Sequence, residues 1–233
     1  MKHNKQAHKK ALVALAVATA GLSALGTAQA QGFDLSRFSA RVGVTTIMPS
    51  VDSGDLSAPS FAGTKIDVGN ASMATAGISY ALTDNIIVDL PLGLPFKHKV
   101  VGDGAIAGVG TLGTVQALPM TLTVQYRFGN RDSMIRPYVG AGGTYARFFR
   151  SRGTAALSGL TGGSPAHPTT LTMDNASGPA VQLGAMVRLD KRWAIDASIT
   201  KVRLKTTGTL STGQTIDARL DPAAVTIAFD YSF

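Results

Sequence analysis

The chain has no cysteine and no glutamate in its 233 residues. The first absence removes disulfides, zinc–thiolate sites and cysteine nucleophiles. The second makes every acid an Asp and leaves helix-favouring charge patterns scarce. Histidine is rare as well: His3 and His8 lie near the N-terminus, so only His98 and His167 remain for chemistry further along. Beyond residue 30 no apolar run approaches the roughly 20 residues of a membrane-spanning helix. Basic patches interleaved with aromatics, the mark of nucleic-acid binding, are missing too. No cofactor, metal or catalytic constellation stands out.

What is present begins with an export signal. Lys2, Lys5, Lys9 and Lys10 precede an apolar run over residues 11–25, followed by the small-x-small triplet Ala28-Gln29-Ala30. Cleavage is expected between Ala30 and Gln31, giving a signal peptide over 1–30 and one domain over 31–233. The alternative, an uncleaved anchor, is disfavoured because the run is short for a span. Without the four leader lysines the formal charge falls from +8 to +4, so the basic balance says little about anionic partners.

A period of two dominates the remainder. In the last ten residues Val225, Ile227, Phe229, Tyr231 and Phe233 fall on one face, opposite Ala224, Thr226, Ala228, Asp230 and Ser232. Similar segments are expected over residues 38–48, 64–82, 86–96, 114–128, 136–149, 177–189 and 193–205. They are joined alternately by short turns at 83–85, 129–132 and 190–192 and by long loops rich in Gly, Ser and Pro, the one over 150–175 with room for a short helix. Apolar outward faces with terminal aromatics (Tyr80, Tyr126, Phe128, Trp193, Tyr231, Phe233) are the pattern of an outer-membrane barrel. The expected fold is all-β: an eight-stranded antiparallel up-and-down transmembrane β-barrel with short periplasmic turns and long external loops, integral to the cell outer membrane.

The opposite parity describes the lumen. Near the periplasmic side it carries Arg41, Asp89, Arg127, Arg188, Asp196 and Asp230. Charges inside so narrow a barrel must pair, which predicts an ionic floor; the alternative is solvated charges at the rim. Further out the inward residues are small or apolar: Thr45, Ile47, Met73, Gly93, Ala117, Thr121, Ala224 and Thr226. An apolar cavity above a charged floor suits a small hydrophobic ligand. Pro91, Pro95 and Pro119 lie in neighbouring strands and cannot donate to the ladder. They predict either a gap in the wall, with lateral exit into the membrane, or merely bulges and rim positions.

Several segments resemble the outer membrane protein W (OmpW) family: Tyr80-Ala-Leu-Thr-Asp-Asn-Ile-Ile-Val88, Pro95-Phe-Lys-His-Lys99, Leu118-Pro-Met-Thr121, Arg136-Pro-Tyr-Val-Gly-Ala-Gly142 through Phe148-Phe149, and Arg219-Leu-Asp-Pro222. They run in the family's order along the whole exported part. The resemblance implies an eight-stranded barrel with a narrow apolar interior that passes small hydrophobic molecules, and relatives that take up alkanes. The chain departs from it at Ala176 and Ala223, which hold small side chains where bulky aromatics are expected.

Other motifs are weaker. Gly108-Val-Gly-Thr-Leu-Gly113 matches a dinucleotide fingerprint but lies between barrel strands, without the βαβ context the motif needs. Asn175-Ala176-Ser177 matches a glycosylation pattern that is uninformative for a bacterial outer-membrane protein. A Ser-His-Asp site at His98 or His167 is disfavoured against exposed loop histidines, and no enzymatic activity is expected. His98, flanked by Lys97 and Lys99, is instead a candidate contact to lipopolysaccharide phosphates. Expected partners are outer-membrane lipid, lipopolysaccharide, a small hydrophobic ligand, and the barrel-assembly machinery through Phe233. The competing reading is a structural or loop-mediated adhesion barrel without transport.

Overall fold

A computed structural model describes residues 34–233. The expected signal peptide and the expected cleavage between Ala30 and Gln31 lie outside the described residues. The strands are β1 (Phe38–Met48), β2 (Asp52–Ser53), β3 (Thr64–Val68), β4 (Ala71–Ala81), β5 (Ile86–Gly93), β6 (Phe96–Gly104), β7 (Thr111–Arg127) and β8 (Ile135–Gly153). After helix α1 (Ala155–Thr161) come β9 (Leu171–Met173), β10 (Ala176–Arg188), β11 (Trp193–Val202), β12 (Lys205–Leu210), β13 (Thr215–Arg219) and β14 (Ala223–Ser232).

Antiparallel pairing runs β1–β4–β5–β7–β8–β10–β11–β14 and returns from β14 to β1, closing a barrel of eight staves. β6 continues the stave of β5 and pairs with the outer half of β7. Closure gives every stave a partner on both sides, so no whole strand presents an open edge to the hydrocarbon, as a membrane-spanning sheet requires. Outward side chains such as Val44, Leu122, Val124, Leu183 and Ile227 are more than half exposed, as lipid-facing residues of an isolated chain must be. Aromatics gather at the periplasmic end: Phe38 meets Tyr80 at 4.7 Å, and Trp193, Tyr231 and Phe233 form an edge-on series at 4.9 and 5.3 Å.

β7 and β8 run 17 and 19 residues, well beyond the 9–11 or so that cross a bilayer, so they rise above it. Segments expected to be loops are strands here. Residues 98–104 continue β6, with Phe96, His98 and Val100 buried and Lys97 and Lys99 exposed. β12 and β13, together with β2 and β9, build a four-stranded outer sheet. Thr206, Gly208 and Leu210 are buried while Lys205 and Thr209 are exposed, so the period of two was present under a composition that resembles a loop. Helix α1 does form, with Thr154 capping its start by accepting from the Leu157 amide and Gly162 ending it in the left-handed region.

Candidate functional site

Five of the six charged lumen residues lie buried near the periplasmic end: Asp89, Asp196, Asp230, Arg127 and Arg41 are between 0 % and 7 % exposed. Arg41 donates from Nη2 to Asp89 Oδ2 at 2.8 Å, and Ser79 Oγ donates to Asp89 Oδ1 at 2.7 Å. To reach Asp89 the guanidinium crosses β4 at Gly77, where a Cβ would sit 2.7 Å from Arg41 Nε. Arg127 donates to Gln125 Oε1, and Gln125 passes a hydrogen bond on to Gln182 at 2.9 Å. Tyr138 donates its hydroxyl to Asp196 at 3.1 Å and lies 5.8 Å beneath the Arg127 guanidinium. Asp230 faces Arg41 across β1 and β14 and accepts a long bond from Ser39. Two guanidinium groups therefore share the layer with three carboxylates: Arg41 pairs directly with Asp89, neutral donors reach Asp196 and Asp230, and Arg41 Nη1 and Asp230 Oδ1 are without a hydrogen-bond partner among the described residues.

Above this layer lies a cavity of about 100 Å³. Its wall comprises Ile47, Phe96, Val202, Leu204 and Ala224 among apolar groups, and Thr45, Thr75, Thr121, Thr144 and Thr226 among polar ones. The threonine hydroxyls bond to one another: Thr45 to both Thr75 and Thr226, and Thr121 to Thr144, each at 2.9 Å. Polar groups satisfied within the wall make no demand on a ligand, so the space behaves as apolar. Gln182 and Arg41 form its lower end.

The wall beside this cavity is interrupted. β5 pairs with β7 only from Ile86–Tyr126 to Asp89–Thr123, and pairing resumes at Phe96–Ala117 on β6. Residues 90–95 and 118–122 therefore face each other unladdered, and all three prolines lie within this seam. Pro91 and Pro95 remove donors from one margin, and Pro119 from the other. The cavity reaches the seam, where Pro91, Leu92, Gly93, Leu118 and Pro119 line it.

A family model described as the OmpW family matches residues 36–233. The chain belongs to the OmpW family. It is 31 % identical over 233 residues to outer membrane protein W of Vibrio cholerae, covering 97 % of this chain and 100 % of that protein. It is 30 % identical over 174 residues to the dibenzothiophene metabolism operon protein PahQ of Pseudomonas aeruginosa, covering 73 % of this chain and 76 % of the other. The crystal structure of outer membrane protein OprG from Pseudomonas aeruginosa superimposes with a TM-score of 0.74 at 25 % identity, over 84 % of this chain and 95 % of that one. This OmpW-family chain is thus an integral outer-membrane β-barrel.

Toward the outside the OmpW-family lumen is covered by packed side chains. Val68, Ala146, Ala176, Ala180, Val202, Leu204, Ala218 and Leu220 form one cluster. A second, including Ile66, Val100, Leu112, Leu157 and Ile216, encloses an upper apolar pocket of about 40 Å³. Phe148 packs against both clusters.

His98 sits beside this cap, 4 % exposed, with Nδ1 2.8 Å from the Gly69 carbonyl oxygen. Its side chain faces inward between the outward Lys97 and Lys99, which corrects its expected place as a phosphate contact. Burial lowers its pKa below the ordinary value of 6.5. The neutral ring is therefore favoured on folding, so its contribution is complete above about 6.5 and is lost as pH falls toward the lowered folded value. Protection factors of β3 and β6 amides, taken after correction for the intrinsic pH dependence of exchange, are expected to be lower at pH 5 than at pH 7.5, and His98→Gln should flatten that difference. Hydrogen exchange by mass spectrometry reads both.

The remaining lumen expectations divide. Arg188 does not join the floor: it turns to the periplasmic rim and pairs at 3.1 Å with exposed Asp132 in the β7–β8 turn. At the last position of β10 its long side chain reaches water more cheaply than a buried partner. Ile47, Gly93, Thr121, Ala224 and Thr226 line the cavity, as do Thr45, Pro91 and Pro119, whereas Met73 and Ala117 do not. Met73 packs on the Ile47, Ala71 and Phe96 cluster, and Ala117 is buried in the β6–β7 pairing that resumes beyond the seam. Sequence reasoning passed over Gln125, Gln182, Tyr138, Ser39 and Ser79. Each shares the inward parity of a charged neighbour on its own or an adjacent strand, and that parity was the available signal.

Proposed function

We propose that this chain is a passive outer-membrane route for small hydrophobic molecules, which occupy the apolar cavity and leave sideways through the β5–β7 seam. The observation that carries this is a coincidence of place: a buried hydrogen-bonded floor lies under the cavity, and the unladdered wall stands beside it. An apolar solute above a desolvated ionic layer has no favourable axial path, whereas the seam opens onto a medium as apolar as itself. A void of this kind approaches the roughly 150 Å³ of apolar cavities that take up benzene. The name of the relative PahQ, which refers to dibenzothiophene metabolism, supports an apolar cargo. The reading is non-enzymatic, since His98 is spent on a backbone carbonyl and His167 sits in an exposed loop turn with Ser164. Assembly into the membrane would engage the outer-membrane machinery through Phe233.

A cysteine-free chain makes the test clean. Leu92 and Met120, outward and about equally exposed at 43 % and 45 %, flank the seam. In a Leu92→Cys/Met120→Cys variant, a reducible bis-maleimide should lower flux of an apolar fluorophore into proteoliposome membranes to the protein-free level. Reduction of the linker should restore it. Full flux through a fully cross-linked barrel would remove the lateral route. Flux that never exceeds protein-free vesicles in any form would favour the structural or adhesion barrel.

A further inference from the structure

The outer margin of the lipid-facing band changes abruptly above the seam. On the β5–β6 stave, β7 and β8, the outward apolar positions reach Leu94, Leu118 and Tyr145, and the next outward residues are Lys97, Gln116 and Arg147. Register places Lys97 opposite Gln116, Lys99 opposite Thr114, Thr114 opposite Arg152, and Leu118 opposite Arg147. With strands about 4.8 Å apart and residues about 3.4 Å apart along them, the four cations share a patch roughly 10 Å by 14 Å. All four are exposed, and none of them enters an ion pair or side-chain hydrogen bond among the described residues. Residues 94–102, 111–122 and 144–153, which build the patch, contain no acid. Half-buried Phe149 lies in its middle, in register with Gln116.

Like charges at this spacing repel over distances comparable to a Debye length of about 8–10 Å, so the cluster costs energy unless an anion answers it. Position names the anion. The patch begins where the apolar band stops, on the outer face of an integral outer-membrane protein, at the level of lipid headgroups. We propose that Lys97, Lys99, Arg147 and Arg152 form a binding site for the phosphate groups of an outer-leaflet lipopolysaccharide, with Phe149 as an apolar ledge between them. The site is independent of whether the barrel transports anything.

The test uses the full barrel in detergent with fluorescent lipid A, either diphosphorylated or dephosphorylated. Wild type should prefer the diphosphorylated form and lose that preference at high salt. The variant K97A/K99A/R147A/R152A should bind it about 10- to 100-fold more weakly, since each cation near a charged surface contributes a several-fold factor. Heat-modifiable gel mobility reports folding, and the charge-retaining variant K97R/K99R/R147K/R152K should bind nearly as wild type. Equal affinity for the two lipids, unchanged affinity in the alanine variant, or an equal loss in a control R203A/K205A variant would overturn the site. Competition by inorganic phosphate with no preference between the lipids would mark a free-anion site and overturn it as well.

Discussion

Replacing Arg41 with methionine is expected to destabilise the barrel by about 3–5 kcal/mol, the range found when one partner of a buried ion pair is removed. The cost comes from what remains. Asp89, Asp196 and Asp230 would face Arg127 alone, all three at 1 % exposure or less. Ser79 would still donate to Asp89, but a neutral hydroxyl offsets little of a desolvated charge. Volume is conserved by the change, so packing loss contributes little. Urea unfolding in lipid vesicles, followed by Trp193 fluorescence, measures it. A second change, Asp89→Leu, should recover a large part of the loss, because removing both partners of a buried pair is far less costly than removing one. A single-variant loss below about 1 kcal/mol, the range of exposed pairs, would mean that these groups are solvated and the layer is no barrier.

Flux of an apolar probe is expected to fall to the protein-free level in Ala224→Trp. Ala224 projects into the cavity from β14, flanked by Ile47 on β1 and Thr200 on β11. An indole placed there fills a space of about 100 Å³ from the side opposite the seam, leaving the seam residues untouched. Overpacking at such a site costs about 1–3 kcal/mol, which an outer-membrane barrel tolerates, so a folded but closed protein is the anticipated product. Ala224→Val should give an intermediate rate. Measured beside the cross-linked seam, the variant separates two failures. Loss in Ala224→Trp with normal flux through the cross-linked seam assigns passage to the lumen by another exit. Normal flux in both removes the lumen from the pathway.

The barrel was legible from the chain because one physical rule, alternation under a two-sided solvent, acts at every spanning strand. The residues of β1 and β14 show it plainly: Val42 and Val44 face out beside Phe229 and Ile227, while Arg41 and Thr45 face in beside Asp230 and Thr226. The same parity placed Asp89, Arg127 and Asp196 in one layer. It misplaced Arg188, because parity states a direction and says nothing about how far a long side chain at a strand end can swing toward water. It also passed over Tyr138 and Gln182, whose importance depends on which groups stand opposite. The outer strands β6, β12 and β13 were hidden by Gly, Thr and Ser, which favour loops until neighbouring strands supply partners.

Alternation, terminal aromatics and the missing donors of three prolines are properties of the linear chain, because each depends on a residue and its near neighbours. They determined a membrane barrel with charge low in its lumen, and left open whether the prolines open a gap in one wall or merely mark bulges and rim positions. Pairing across the lumen is different. That Arg41 spans β4 to reach Asp89, that the threonine hydroxyls satisfy one another, and that the cavity meets the seam depend on contacts between residues far apart in the chain, 23 to 181 positions for the hydrogen bonds. Closure of the ring sets which of those meet, and only the tertiary structure contains it.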